Sequence, residues 1–491
     1  MRDVCHGDQA LRNDEYLPKL NKSDTSDGNV ERNIAYRMRA VLLSATGFTL
    51  AGMLGLAFRR DPTFELPSAL EYVLEDVDGA AVNIYQQSQA TLRAVIQIGR
   101  HGLYVDFSSE LKRPIIKGYY AEDVINWRYS LIGGKTVLTL LVLHEKAEIV
   151  TGYATEIVDQ WRELAIENGV CICRIWRKNK DGKLEIVPIE DAKGVMQPEI
   201  TLRSSGAELD FIPFAFAGSQ NNDAHIDEVP LYGLAQVNIA HFRNSADYED
   251  SVFFVGQAQP WISGLDNEWR DFLQASPGLY VGSRSTVLLP EKGAYGFAQP
   301  LPNTLVKEAM DQKEAQMVAL GARLINKDQQ SSKTATQAEG EREASTSILA
   351  TCCANVSDAY RLALTWCARY LDLNEAPQYK INQDFASVSN DPAMITALVT
   401  AWQQGIIGKA DARAFLRRQG TVATERTDED IDADLLADPF IDPALEPELD
   451  ADGKPVLDAQ GKPVRKAAGN TAPAPDAATA SDLTPIVNAL T

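Results

Sequence analysis

Along residues 124–132, Ile125, Trp127, Tyr129 and Leu131 alternate with Val124, Asn126, Arg128 and Ser130, the period-two pattern of a half-buried strand. A Gly133-Gly134 pair follows, then the apolar run VLTLLVL. Two glycines between two such runs predict a hairpin, because both tolerate positive φ. The same stretch contains GGKT, which invites comparison with a phosphate-binding loop. That motif needs a glycine five positions before the G-K-T glycine and a helix directly after it. Here Tyr129 stands where the first glycine belongs, and β-branched strand text follows Thr136. The hairpin is the better reading, and a nucleotide-hydrolysing packaging enzyme is the alternative that GGKT alone suggests.

Up to about residue 215 helices frame a β-rich region. Helical patterns fall near 32–52 and 84–98, PTFELP at 62–67 predicts an edge strand, and VCICRIWRKNKDGKLEIVP predicts two strands around Asp181-Gly182. ELDFIPFAF, 208–216, adds another strand. From residue 229 the period turns helical, with Leu231, Leu234, Val237, His241, Ser245 and Tyr248 three or four apart. Two or three short strands are expected between 251 and 300, punctuated by Gly256, Pro260, Gly264, Pro277, Gly278, Pro290 and Gly293. A second helix carries Val306, Met310, Lys313, Met317, Leu320 and Leu324. NKDQQSSKTATQAEGE, 326–341, holds no large apolar residue and reads as a solvated loop. Beyond it Ile348, Cys352, Val356, Ala359, Leu362, Trp366 and Tyr370 predict a long helix, and a helical pair is expected at 391–418. The last forty residues, rich in Ala, Pro, Asp and Gly, read as a disordered tail.

Composition narrows the function. Forty-seven Lys and Arg stand against 68 Asp and Glu, a formal charge of −21, so the overall field does not grip phosphate. Residues 425–454 alone carry twelve acids against Arg426 and Lys454. Six cysteines, at 5, 171, 173, 352, 353 and 367, form no C-x-x-C pair and have no histidine spacing suited to zinc. Cys171 and Cys173 are expected to share one strand face as core or sheet-surface thiols. His6, His101, His144, His225 and His241 are scattered, and no G-x-S-x-G frame supports a nucleophile triad. Residues 40–58 are uncharged and flanked by arginines, as a membrane span would be, but three glycines, Ser44, Thr46 and Thr49 favour a buried helix. The opening MRDVCHGDQALRNDE has no apolar core and reads as no secretory signal.

The order of elements, an α+β body, a long helix, a small β insertion, a second long helix, a polar loop and a very long helix, resembles the bacteriophage portal protein family. The stretches PFAFAGSQNND (213–223), LAQVNIAHFRNSADYEDSVFFVGQAQPWISG (234–264) and LVKEAMDQKEAQMVALGARLI (305–325) are similar to a portal subgroup catalogued as a domain of unknown function. The resemblance covers nearly everything before residue 420. It implies a portal-type fold: wing 1–229, stem helices 230–250 and 302–325, clip 251–301, tunnel loop 326–338, spine helix 339–372, crown and acidic segment 373–450, tail 451–491. It also implies a homo-oligomeric ring of twelve at one capsid vertex, with double-stranded DNA in the channel. The implied partners are the terminase, the major capsid and scaffolding proteins and tail adaptor proteins. The location is the virion, or the host cytoplasm during assembly, with no membrane, no cofactor and no catalytic residue. The loop residues facing DNA would be Lys327, Asp328, Gln329, Gln330, Ser331, Ser332 and Lys333, with an acidic wall elsewhere letting phosphates slide.

Overall fold

The structure is a computed structural model that describes residues 1–190, 194–204, 206–256, 259–275, 289–298, 304–325, 347–383, 385, 392–403, 406–418, 422 and 426–437. The chain divides into a unit of residues 1–385 and a unit of residues 386–491. The fold class is α+β, as the sequence predicts.

The first unit opens with two short helices, α1 (Arg2–His6) and α2 (Asp8–Leu11), then α3 (Asp27–Arg39) and α4 (Ala45–Ala57). The helical pattern near 32–52 is thus two helices separated by five residues of irregular chain. α4 has 13 residues, about 20 Å at 1.5 Å per residue, and buries Leu50, Met53, Leu54 and Ala57. Among the described residues no helix is long and apolar enough to cross a membrane. β1 (Thr63–Glu65) is the expected edge strand. α5 (Ile84–Ile98) starts with a reciprocal capping box between Asn83 and Gln86, which satisfies two backbone donors that helix geometry leaves open.

Two sheets follow. β2 (Arg100–Ser108) and β3 (Arg113–Tyr120) join a third strand from 214–218. β4 (Val124–Ile132), β5 (Lys135–Thr151), β6 (Ala154–Glu167) and β7 (Val170–Lys178) form an antiparallel meander, extended by β8 (Leu184–Val187) and a two-residue strand at 200–201. The GGKT question is settled by register: Ile132 faces Lys135 across Gly133 and Gly134, whose φ values are +57° and +78°. That is a two-residue hairpin turn with no helix after it. β7 and β8 likewise form the hairpin expected around Asp181-Gly182. Cys171 and Cys173 are both buried core residues on β7.

The half-burial expected of β4 is not observed. Ile125, Tyr129, Leu131 and Ile132 remain 41–75 % exposed. β4 pairs only with β5 in its sheet, and register shifts between Val124 and Asn126 and between Arg128 and Tyr129 break the alternation that the sequence pattern assumes.

The two sheets are tied through a buried charged network. Glu145 on β5 accepts from Arg162 Nε on β6 at 2.7 Å, from Tyr119 Oη on β3 at 2.6 Å and from Gln160 Nε2 at 2.7 Å. Arg162 also approaches Asp106 on β2 at 3.6 Å. Burial alone would raise the Glu145 carboxyl, but Arg162 and these donors more than offset it and hold the group below its usual range.

The longer elements that follow in this unit, in chain order, are β9 (Phe214–Gly218), α6 (Tyr232–Val255), β10 (Gln259–Ser263), α7 (Asn267–Ala275), β11 (Ala294–Ala298), α8 (Leu305–Ile325), α9 (Ile348–Tyr370) and β12 (Gln378–Lys380). α9 is the centre of the core. It buries Leu349, Cys352, Cys353, Val356, Tyr360, Ala363, Leu364 and Cys367. Of the stripe read from sequence, Cys352, Val356, Ala359 and Tyr370 are buried on this face, whereas Ile348 and Leu362 are more than 40 % exposed. Small Ala and Cys residues let the helix sit close against α5 and the three-stranded sheet, and the Tyr360 hydroxyl is satisfied by Thr91 and Gln87, each at 3.1 Å.

In the second unit α10 (Pro392–Gln403), α11 (Lys409–Arg418) and α12 (Asp428–Ala437) are described. The acidic run is partly helical: on α12 Asp432 pairs with Lys409 and Arg413, and Asp428 with Arg417.

Candidate functional site: the paired helices and the module they carry

His241 on α6 lies 3.3 Å from Glu314 on α8, and farther along the chain residues 259–263 pair with 294–298, so α6 and α8 run antiparallel. The helical text expected at 230–250 and 302–325 is therefore one helix pair, and α6 continues to Val255. Between them β10 and β11 pair with Trp261 opposite Gly296, and α7 lies between the two strands. Two of the expected strands are present. α7 was missed because it is only nine residues long and lies among Gly and Pro punctuation.

The body end of α6 is fixed by polar contacts that do not follow from its apolar stripe. Asn238, fully buried, accepts from Thr46 N and Oγ1 and donates to the Leu43 carbonyl at 2.7 Å, seating α6 on α4. His241 is buried against Glu314 with Nδ1 unpartnered among the described residues. Farther along, Tyr36 donates to Asp247 at 2.7 Å, and Arg32 and Arg39 both pair with Asp250 at 3.2 and 2.9 Å. The same two guanidiniums lie over the rings of Phe254 and Phe253. The segment 1–43 is thus bound along α6, which the sequence pattern did not announce.

The stretch PFAFAGSQNND precedes α6 and is wrapped around a buried guanidinium. Arg100 donates to the Asn221 carbonyl at 2.8 Å and pairs with Asp223 and Asp227 at 3.1 and 3.3 Å. Asn355 on α9 donates to the Gly218 carbonyl, and Asn222 donates back to the Asn355 carbonyl. Residues missed by the sequence reading, Arg100 and Asp227 above all, therefore fix where α6 leaves the body.

The expected channel residues Lys327, Asp328, Gln329, Gln330, Ser331, Ser332 and Lys333 lie outside the described residues, between α8 and α9. The described histidines do not converge. His101 is buried beside Tyr120, and His144 bridges Asp123 and Asp159 at 3.4 and 2.9 Å. Among the described residues no group of three or more His, Cys, Asp or Glu side chains could hold a metal ion.

Residues 230–371 match the family model DUF4055, a domain of unknown function. The matched segment is the α6–α8 pair, its module and α9. No curated protein sequence matches the chain. Three solved structures with similarity to it are the neck of an empty GTA particle with C6 symmetry, the neck of a native GTA particle with C12 symmetry, and the virion of a native gene transfer agent particle. Their identities are 11, 11 and 12 % and their TM-scores 0.37, 0.35 and 0.38. Each alignment covers 76 % of this chain and 89 % of the other.

Proposed function

We propose that the chain is the subunit of a phage portal. Twelve copies form a ring at one capsid vertex, pass double-stranded DNA during packaging and ejection, and dock the terminase motor and tail adaptors, with no chemical step of their own. The observation that carries this reading is the placement of the three long helices. α9 is buried in the body, whereas α6 and α8 pair and carry the β10–α7–β11 module between them. That arrangement supports the reading, in which α9 is assigned to the spine, α6 and α8 to the stem and the module between them to the clip. The net charge of −21 suits a conduit, because an acidic wall repels phosphate, and Lys327 and Lys333 are the cations assigned to brief contact.

The test is the mass and rotational symmetry of the purified protein, by native mass measurement and negative-stain imaging. A closed ring of twelve 53.8 kDa chains is expected. A chain that stays monomeric even when capsid and scaffolding proteins are supplied overturns the reading.

A further inference from the structure

On α3 Tyr36 is buried against α6 and Asn33 is buried where it accepts from the Leu20 amide, whereas Val30, Ile34 and Met38, one above the other at i, i+4 and i+8, are 49, 57 and 63 % exposed. Their centre lies about 120° around the helix from the buried pair. Val41, 57 % exposed, follows just past the helix end. These four side chains leave on the order of 400 Å² of mainly apolar surface in water, the size at which a patch on a single chain is often functional and about half of one side of a stable interface.

A second outward face belongs to α8. Turned away from its buried Met317, roughly 100° to 200° around the helix, lie Asp311, Ala315, Val318 and Ala319, all exposed, with Val318 at 74 %. Alanines four apart leave a shallow groove that larger side chains of another helix can enter.

The two faces lie on opposite flanks of α6. The segment containing α3 packs on Ile239, Phe242 and Ala246, whereas α8 meets His241. At 100° per residue these groups are roughly 130° apart around the helix. One chain cannot bury both faces against each other. A two-fold dimer through either one leaves the other in water, whereas a head-to-tail contact buries one of each kind and repeats.

We infer that the Val30, Ile34, Met38 stripe of one copy docks on the Ala315, Val318, Ala319 face of the next copy, and that this contact is a heterologous interface of the assembly. The inference rests on the ring reading above and adds to it which surfaces meet.

The test uses the full chain with Ile34→Glu and, separately, Val318→Glu. Both side chains are exposed, so each variant is expected to melt like the parent. Each alone is expected to lose all assembly. An equimolar mixture is expected to give a 1:1 complex of twice the 53.8 kDa chain mass and nothing larger, because one intact face remains on each partner. A mixture that yields no dimer, or either variant assembling like the parent, overturns the proposal while a parental ring stands. A parent that never assembles overturns the ring reading and this interface together. Should either variant fail to fold, Met38→Glu with Ala315→Glu repeats the same mixing test.

Discussion

Arg100 and Asp227 form an ion pair at 3.3 Å with their side chains only 2 and 6 % exposed, and the chain between Gly218 and Asp227 is folded around it. Arg100 opens β2, and Asp227 lies five residues before α6 begins, so this pair joins the body sheet to the root of the paired helices. Asp227 also accepts from the backbone amides of Gln220 and Asn221 at 2.8 and 3.2 Å. The carboxylate thereby serves both a guanidinium and a turn.

Asp227→Ala removes the buried carboxylate from Arg100, leaving it only the half-exposed Asp223 and the Asn221 carbonyl, and takes the acceptor from two backbone amides. It is expected to cost about 2–3 kcal/mol, read as a drop in the urea midpoint at an unchanged slope. An added methyl at Gly218 would overlap the Asn221 carbonyl and the Arg100 guanidinium, so Gly218→Ala is expected to be at least as damaging. Parental midpoints for both variants would show that the loop re-forms without the pair.

A pH effect follows from His101. Burial, aided by the charge of Arg2, lowers its pKa from 6.5 to about 3. Between those values the unfolded chain binds a proton that the folded chain does not, so stability falls as pH drops through this window and is fully restored above it. Between pH 7 and pH 5 this one group accounts for about 2 kcal/mol. In His101→Phe that share of the loss is expected to vanish, measured by urea unfolding at the two pH values. An identical pH slope in the variant refutes the assignment.

Thiol reactivity checks the core. Cys171, Cys173, Cys352, Cys353 and Cys367 are buried, and burial pushes the Cys171 and Cys352 thiols up to about 12 and that of Cys173 to about 11. Only Cys5, partly exposed, is expected to react with a thiol reagent in the native protein, against all six in denaturant. Two or more fast-reacting native thiols would show that α9 or β7 is not packed as described.

The hairpin at GGKT predicts no nucleotide dependence. Lys135 is exposed at the start of β5, and Lys135→Ala is expected to change stability by less than about 0.5 kcal/mol and to leave ATP hydrolysis at the buffer level before and after. Hydrolysis by the parent that the substitution abolishes would overturn the portal reading. Gly133→Val, which forces a β-branched residue into positive φ, is expected to cost about 1–3 kcal/mol.

Under the proposed function, Lys327→Ala with Lys333→Ala is expected to reduce DNA packaging or retention while ring assembly, measured by mass, is unchanged. Parental infectious yield from the double variant removes both lysines from the mechanism.

Local signals were decisive where one element determines its own form. The Gly133-Gly134 turn, the 84–98 helix and α8 were readable from glycine φ freedom and helical period, because those preferences act within a few residues. The apolar period of α6 likewise sufficed to place a helix from about residue 230. What the residue pattern could not decide is which side of an element meets which partner. β4 has strand periodicity, yet its apolar side chains stay exposed because register shifts and its place at the sheet edge come from pairing with β5. α3 shows the reverse case: periodicity finds a helix, but only the tertiary packing shows that Asn33 and Tyr36 face inward and Val30, Ile34 and Met38 do not. Arg100 with Asp227, and Glu145 with Arg162, are invisible as motifs since their partners are 127 and 17 residues apart. Periodicity reports the free energy of burying a side, whereas pairs distant in the chain are specified only when the backbone has already brought them within a few ångströms, and that is the work of the tertiary fold.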